Sequence, residues 1–316
     1  MNICSICNNS ENNKIVIARE MMFGTRDEFE YLECAKCGCV QLINIPENIN
    51  KYYPENYYSY QSKGEKHLIQ TSFSKSLKRN LKKILLDHYL QGNSFIGKLI
   101  SKKYYSYYPW LKRNTVSSRS AILDVGCGSG ELLLKMYNDG FKNLTGVDPY
   151  IQEEIKYDCG ITVYKKNLDE LISKYDLIML HHAFEHMDQP LNVLKNLYNL
   201  LNHKGFLIIR IPVAACFAWR KYGVNWVQLD APRHFFLHTL KSIQLLCEQS
   251  NFIFQDVVYD SYSLQFTGSE KYLRDIPLID ESELFSVTQL KDYSNESLRL
   301  NNANDGDQAC FYLYKD

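Results

Sequence analysis

Three groups of residues in this 316-residue chain have the types and spacing of chemical sites. Cys4-Ser-Ile-Cys7 and Cys34-Ala-Lys-Cys37 are two C-x-x-C pairs, each placing two thiolates on one tight turn. Together they match a closed tetrahedral Cys4 zinc site, structural because no position is left open for water. Cys39 stays off the metal in this reading, and a redox pair or disulfide is the alternative for the cysteines. Asp124-Val-Gly126-Cys127-Gly128-Ser-Gly130 follows an acid with three alternate glycines, a backbone able to turn tightly and approach a ligand closely. His181-His182-Ala-Phe-Glu185-His186 and Asp230-Ala-Pro-Arg233-His234 gather imidazoles and carboxylates suited to proton transfer near neutral pH.

The elements that must carry these residues read as βα units. The apolar run Ala121–Val125 is a strand ending at the glycine turn, and Leu132 to Tyr137 continue as an amphipathic helix. Further strands are expected at Leu144–Val147, Ile161–Tyr164, Tyr175–Leu180 and Phe206–Ile211. A helix defined by Leu191, Leu194, Leu197 and Leu201 is closed by Lys204-Gly205. Such repetition predicts a parallel sheet whose ligands sit at the C-terminal strand ends. Phe252–Tyr259 and Ala309–Tyr314 read as the last strands, with an insertion over 261–307 between them. Leu, Ile and Tyr at helical spacing predict a helix pair over 72–111, broken at Gly92-Asn93.

Asp124 argues against a dinucleotide on the glycine turn. A pyrophosphate cradle has G-x-G-x-x-G, whereas here the third glycine comes one residue early and an ionisable acid precedes it. Asp148 follows about twenty residues after the first glycine, the interval at which α/β nucleotide folds place a ribose-binding carboxylate. With Pro149 next to it, it also reads as a helix N-cap.

Asp124 to Gly130, Asp148, Asn167-Leu168 and His181 to His186 occur in the order and spacing of class I S-adenosylmethionine (SAM)-dependent methyltransferases, which residues 110–316 resemble. The N-terminal cysteine pairs, with the Tyr-rich segment 51–60, are similar to a zinc-bearing subset associated with sugar-nucleotide and surface-polysaccharide methylation. The resemblance implies a Rossmann-like α/β fold: a seven-stranded, mostly parallel sheet with an antiparallel final hairpin, plus a small Cys4 zinc module. It also implies SAM as cofactor and S-adenosylhomocysteine as product. Asp124 would face the methionyl end, Gly126, Cys127, Gly128 and Gly130 form the turn, and Asp148 and Pro149 lie at the ribose. Asn167 and Leu168 would read adenine, with His181 and His182 touching the cofactor through their backbone.

Methyl transfer to a hydroxyl needs a base, for which His234 is the first candidate and His186 the second; Glu185 is a further catalytic candidate, and Asp230 would orient either histidine or bind acceptor hydroxyls. Either histidine could instead serve only to anchor its loop. Trp226 and Arg233 are expected to line the acceptor pocket, with Tyr57 at its mouth. Arg233 stands where the sugar C-methylating members have Glu, which suits an anionic acceptor such as a nucleotide sugar.

Lys+Arg and Asp+Glu are equal at 36 each, so no net field recruits nucleic acid, and no nucleic-acid partner is expected. No apolar run approaches the ~20 residues of a membrane span. Ten cysteines and an N-terminus without signal-peptide character point to a reducing, cytoplasmic setting. The expected organisation is a zinc module over 1–50, a Tyr-rich segment and helical linker or lid over 51–114, and a methyltransferase domain over 115–316. The expected partner is a small-molecule acceptor, with a homodimer compatible. N- or C-methylation of a metabolite, RNA modification and non-catalytic SAM binding are the rival readings.

Overall fold

The computed structural model describes residues 3–53, 82–90, 108–113 and 116–316. Tyr57 lies outside these residues, as does most of the expected helix pair, of which a helical stretch over 82–90 is described. The chain divides into two compact units, each discontinuous in sequence. One comprises Met1–Pro54, His182–Leu194 and Arg210–Phe311; the other comprises Glu55–His181, Lys195–Ile209 and Tyr312–Asp316.

The strands are β1 (Lys14–Arg19), β2 (Glu28–Glu33), β3 (Val40–Leu42), β4 (Ala121–Val125), β5 (Asn143–Val147) and β6 (Ile155–Lys156). They continue with β7 (Thr162–Tyr164), β8 (Tyr175–His181), β9 (Leu201–Pro212), β10 (Phe236–Leu237), β11 (Ile253–Tyr259) and β12 (Gln308–Tyr314). The helices are α1 (Glu131–Asp139), α2 (Pro190–Leu200), α3 (Phe217–Tyr222), α4 (Leu240–Ser250), α5 (Leu264–Leu273) and α6 (Val287–Asn302).

The larger sheet has the order β11-β12-β9-β8-β4-β5-β7-β6. At its centre β4 runs parallel to β5 and to β8, with Val125 opposite Val147 on one side and Leu180 on the other. Ile122 to Val125 are buried, the continuous apolar pattern of a parallel strand covered on both faces. The expected seven strands gain an eighth, the two-residue β6, which pairs antiparallel with β7 at the edge. The expected helix stop at Lys204-Gly205 falls inside β9, which already starts at Leu201.

The smaller sheet has the order β1-β2-β3-β10. β1, β2 and β3 form an antiparallel meander, and Phe236–Leu237 closes it by pairing with Val40 and Gln41. Its fourth strand thus comes from the C-terminal half of the chain. A boundary at residue 50 does not describe this unit, because the sheet is completed only by residues far beyond it. The 261–307 insertion folds as α5 and α6, joined by stacking of Phe266 on Tyr293.

Candidate active site

The turn after β4 takes the conformation that its glycines permit. Gly126, Gly128 and Gly130 have φ of 71°, 53° and 80°, in the left-handed region that costs residues with a Cβ. At Gly130 a Cβ would also lie 2.8 Å from Val163 Cγ2. Cys127 turns back onto β5: a Cβ at Gly146 would lie 2.6 Å from its Sγ, so the half-buried residue packs its thiol against that strand.

Asp148, at the end of β5, accepts the Gly128 N–H at Oδ2 and the Tyr150 N–H at Oδ1, both at 2.9 Å. Pro149 opens a turn and not a helix, which removes the N-cap alternative. Asn167 and Leu168 enter a short 3-10 turn, where the Asn167 N–H donates to Glu170 Oε2 at 2.6 Å. Asp124 is 4% exposed; burial, and then the Asp148 carboxylate, push its pKa up to about 7. A buried carboxyl held short of full ionisation beside a glycine-rich turn fits a ligand that brings positive charge, as the ammonium and sulfonium of SAM do.

The chain leaves β8 at His181, whose ring meets Trp110 edge-on at 4.7 Å. His182 then adopts φ 52°, a left-handed backbone unusual for a non-glycine residue. Its N–H donates to the Arg210 carbonyl, and its ring accepts from Arg210 Nη1 at Nε2, 3.2 Å away. Nδ1 therefore carries the proton, 3.4 Å from Glu185 Oε1. The expected backbone role of His182 omits this: its side chain belongs to the group around Glu185.

Glu185 is fully buried, and neither of its oxygens makes a hydrogen bond. His234 Nε2 lies 4.0 Å from Oε1. His234 Nδ1 is 2.7 Å from the Gln228 carbonyl and His186 Nδ1 is 2.8 Å from that of Arg233. A carbonyl only accepts, so both rings carry their proton on Nδ1 and leave a lone pair on Nε2. The two rings meet edge-on at 4.8 Å, and Tyr53 Oη lies 3.2 Å from His186 Nδ1. Burial, reinforced by the His186 ring, pulls His234 down to about 4, so it is neutral at pH 7. Asp230 Oδ2 lies 3.8 Å from His234 Nε2. Burial opposes ionisation of Asp230, but the Arg233 guanidinium holds its carboxyl below the usual range.

Two expected acceptor contacts are corrected. Arg233 is fully buried and its guanidinium is engaged throughout. It donates to Asp230 Oδ2 (3.0 Å) and Oδ1 (2.6 Å), Glu20 Oε1 (2.9 Å) and the Tyr52 carbonyl (3.2 Å). It clamps the loop and has no face left for an anionic acceptor. Trp226 is also fully buried, its Nε1–H donating to Asp307 Oδ2 at 3.0 Å. It anchors the loop instead of lining a pocket.

The loop before His234 is braced on several sides. α5 approaches so closely that a Cβ on Gly268 would lie 2.4 Å from Val227 Cγ2, and Ser269 Oγ accepts the Val227 N–H at 3.0 Å. From the small sheet, Tyr31 Oη donates to the His234 carbonyl at 3.0 Å. Sequence reasoning missed Glu20 and Tyr31 because both lie some two hundred residues from their partners, beyond any local pattern.

The four knuckle cysteines converge. Cys4 and Cys37 sulfurs are 3.6 Å apart and those of Cys7 and Cys34 3.5 Å, with all four within 4.8 Å of one another. Zn–S bonds of about 2.3 Å set tetrahedral sulfur spacings of ~3.8 Å, so this donor set fits zinc. Cys39, fully buried, turns toward the Val40 carbonyl. The knuckle joins the rest of its unit where Thr239 Oγ1, at the start of α4, donates to the Cys37 carbonyl at 2.7 Å.

Comparison with known proteins bears on the same part of the chain. Residues 100–255 match the family model described as a methyltransferase domain. The matched residues are a methyltransferase domain. Among curated proteins it is similar to the tRNA U34 carboxymethyltransferase of Helicobacter pylori, 30% identical over 112 residues, covering 31% of this chain and 43% of that one. It is also similar to the mitochondrial ubiquinone biosynthesis O-methyltransferase of Saccharomyces cerevisiae, 28% identical over 107 residues, covering 28% and 32%. The chain thus spans less than half the length of these relatives. Among solved structures, a SAM dependent methyltransferase from Archaeoglobus fulgidus aligns at 20% identity and a TM-score of 0.40, covering 73% of this chain and 99% of that one. The expected absence of a nucleic-acid partner draws no support from relatives named for tRNA. No described helix is long and apolar enough to cross a membrane.

Proposed function

We propose that the protein is a methyltransferase that moves the methyl group of SAM onto a hydroxyl of a sugar or nucleotide sugar in surface-polysaccharide assembly. The observation that carries the reading is the pairing of β4 with β8. One strand ends in Asp124 and the glycine turn, and the chain leaves its parallel neighbour directly into Glu185 and His186. Ligands of open α/β sheets bind at these strand ends.

SAM, when bound, supplies a methyl carbon made electrophilic by its sulfonium. The chain must hold the acceptor oxygen in line with that carbon at about 3 to 3.5 Å and receive its proton. His234 takes that proton at Nε2, since Nδ1 is already protonated and held by the Gln228 carbonyl. Glu185, ionised and buried, stabilises the resulting imidazolium. Cys4, Cys7, Cys34 and Cys37 hold a zinc ion that shapes the knuckle and takes no part in the transfer.

A labelled-SAM assay against nucleotide sugars and glycan precursors tests the reading. His234→Ala should cut turnover by roughly 10²–10⁴ while leaving SAM affinity unchanged. Unchanged turnover would move the base to His186. The names of the curated relatives favour an RNA acceptor as the second reading, so the same assay includes tRNA. Labelling of tRNA alone would replace the sugar.

A further inference from the structure

We infer that Glu185, His186 and His234 form a binding site for a divalent first-row transition cation, distinct from the Cys4 knuckle. One oxygen of Glu185 and one nitrogen from each ring lie within 4.8 Å of one another. Three donors about 2.1 Å from one ion stand roughly 3.0–3.6 Å apart, so side-chain rotations must draw this set together by about an ångström.

The hydrogen-bond accounting points the same way. Both rings direct Nδ1–H to a backbone carbonyl, Gln228 for His234 and Arg233 for His186. Metal-ligating histidines characteristically have this arrangement, because it fixes the tautomer and aims the Nε2 lone pair. The third group, Glu185, is fully buried with neither oxygen hydrogen-bonded. A carboxylate removed from water without a hydrogen bond is costly. Two imidazole nitrogens and a carboxylate oxygen therefore gather, with the His182 Nδ1–H approaching the carboxylate from 3.4 Å, and a bound cation would complete that arrangement.

The donor set indicates the class of ion. Imidazole nitrogens with one carboxylate suit Mn²⁺ through Zn²⁺, whereas Mg²⁺ and Ca²⁺ favour all-oxygen shells. His182 Nδ1 carries a proton toward Glu185 and so is not a ligand in this tautomer. The inference rests on the proposed function only for its consequence. With an ion bound, the His234 lone pair is a ligand, and turnover depends on the ion instead of on a free imidazole.

Mn²⁺ is the probe, titrated into full-length protein whose knuckle is loaded with zinc, with free Mn²⁺ read by electron paramagnetic resonance. One Mn²⁺ per chain should bind, and Glu185→Gln should weaken it by at least ~100-fold. SAM binding is measured in parallel by calorimetry and should survive in the variant. No Mn²⁺ uptake by the wild type at millimolar ion overturns the inference, as does equal uptake by Glu185→Gln. Should that variant fail to fold, His234→Asn serves, with the same expected loss. Loss of SAM binding in the wild type would instead count against the methyltransferase reading and leave the Mn²⁺ result intact.

Discussion

If Asp124 binds SAM as proposed, that binding is sensitive to pH. Its carboxyl is 4% exposed, and burial followed by the nearby Asp148 raises its pKa from 3.8 to about 7. A cationic ligand binds the ionised form, so apparent affinity scales with the ionised fraction. For a pKa near 7 that fraction is about 0.9 at pH 8 and about 0.1 at pH 6. The Kd for SAM should therefore rise about tenfold between pH 8 and pH 6, and binding at pH 6 should release close to one proton. Calorimetry in two buffers of different ionisation enthalpy measures both quantities. In the ligand-free protein the folded state keeps a proton that the unfolded chain has already released. Stability accordingly falls as pH rises from about 4 to about 7, by at most ~4 kcal/mol, and is level above that. Asp124→Asn should abolish the pH dependence of affinity, weaken SAM binding at pH 8 and flatten the stability profile. A Kd that is constant from pH 6 to pH 8, with no proton released, refutes the placement of Asp124 at the cationic end of the cofactor.

Other sites give sharper structural tests. Gly130→Ala places a Cβ 2.8 Å from Val163 Cγ2 at a φ of 80°, and should cost about 1–2 kcal/mol from the backbone alone, measured by denaturant unfolding. Arg233→Ala leaves the buried Glu20 and the partly exposed Asp230 without their cation and should destabilise by roughly 3–5 kcal/mol, whereas a surface salt bridge would cost little. Arg233→Lys should recover only part of this loss, because one ammonium cannot reproduce the forked contacts. Cys34→Ser should lower the zinc content of purified protein from one per chain toward zero and depress its melting temperature. A fully folded, metal-free wild type by elemental analysis would refute the zinc assignment.

The strand and glycine turn proposed to bind SAM were legible in sequence because their physics is local. Strand, acid and glycine turn lie within ten residues, and the left-handed φ of Gly126, Gly128 and Gly130 is what their residue type predicts. The cysteine knuckle was legible for the same reason. The acceptor half was not. Arg233 and Trp226 looked like pocket residues because charge and aromatic area near a histidine usually mark a binding surface. Their burial depends on Glu20 and Asp307, which no periodicity connects to them. The ring of His182 was out of reach for the same reason: the His-His pair was visible, but the turn that points its ring at Glu185 depends on a φ of 52° and on Arg210.

These long-range contacts give the small sheet a role beyond packing. Within its own unit, the zinc knuckle, the sheet and the proposed proton-accepting loop form one connected structure. Thr239 Oγ1 ties the knuckle to the start of α4, and β10 runs from that loop into the sheet. The Leu42 N–H donates to the Phe235 carbonyl at 2.8 Å, and the Phe235 N–H donates to the Glu185 carbonyl at the same distance. Tyr31, on the neighbouring strand, holds the His234 carbonyl. Each link is a single hydrogen bond worth only about 1 kcal/mol, but all of them fix the backbone on either side of Glu185 and His234. Catalytic groups must be held to within a fraction of an ångström, and a loop alone does so poorly. A zinc ion held by the four cysteines would therefore act on the His234 loop through backbone geometry, without touching the proposed base.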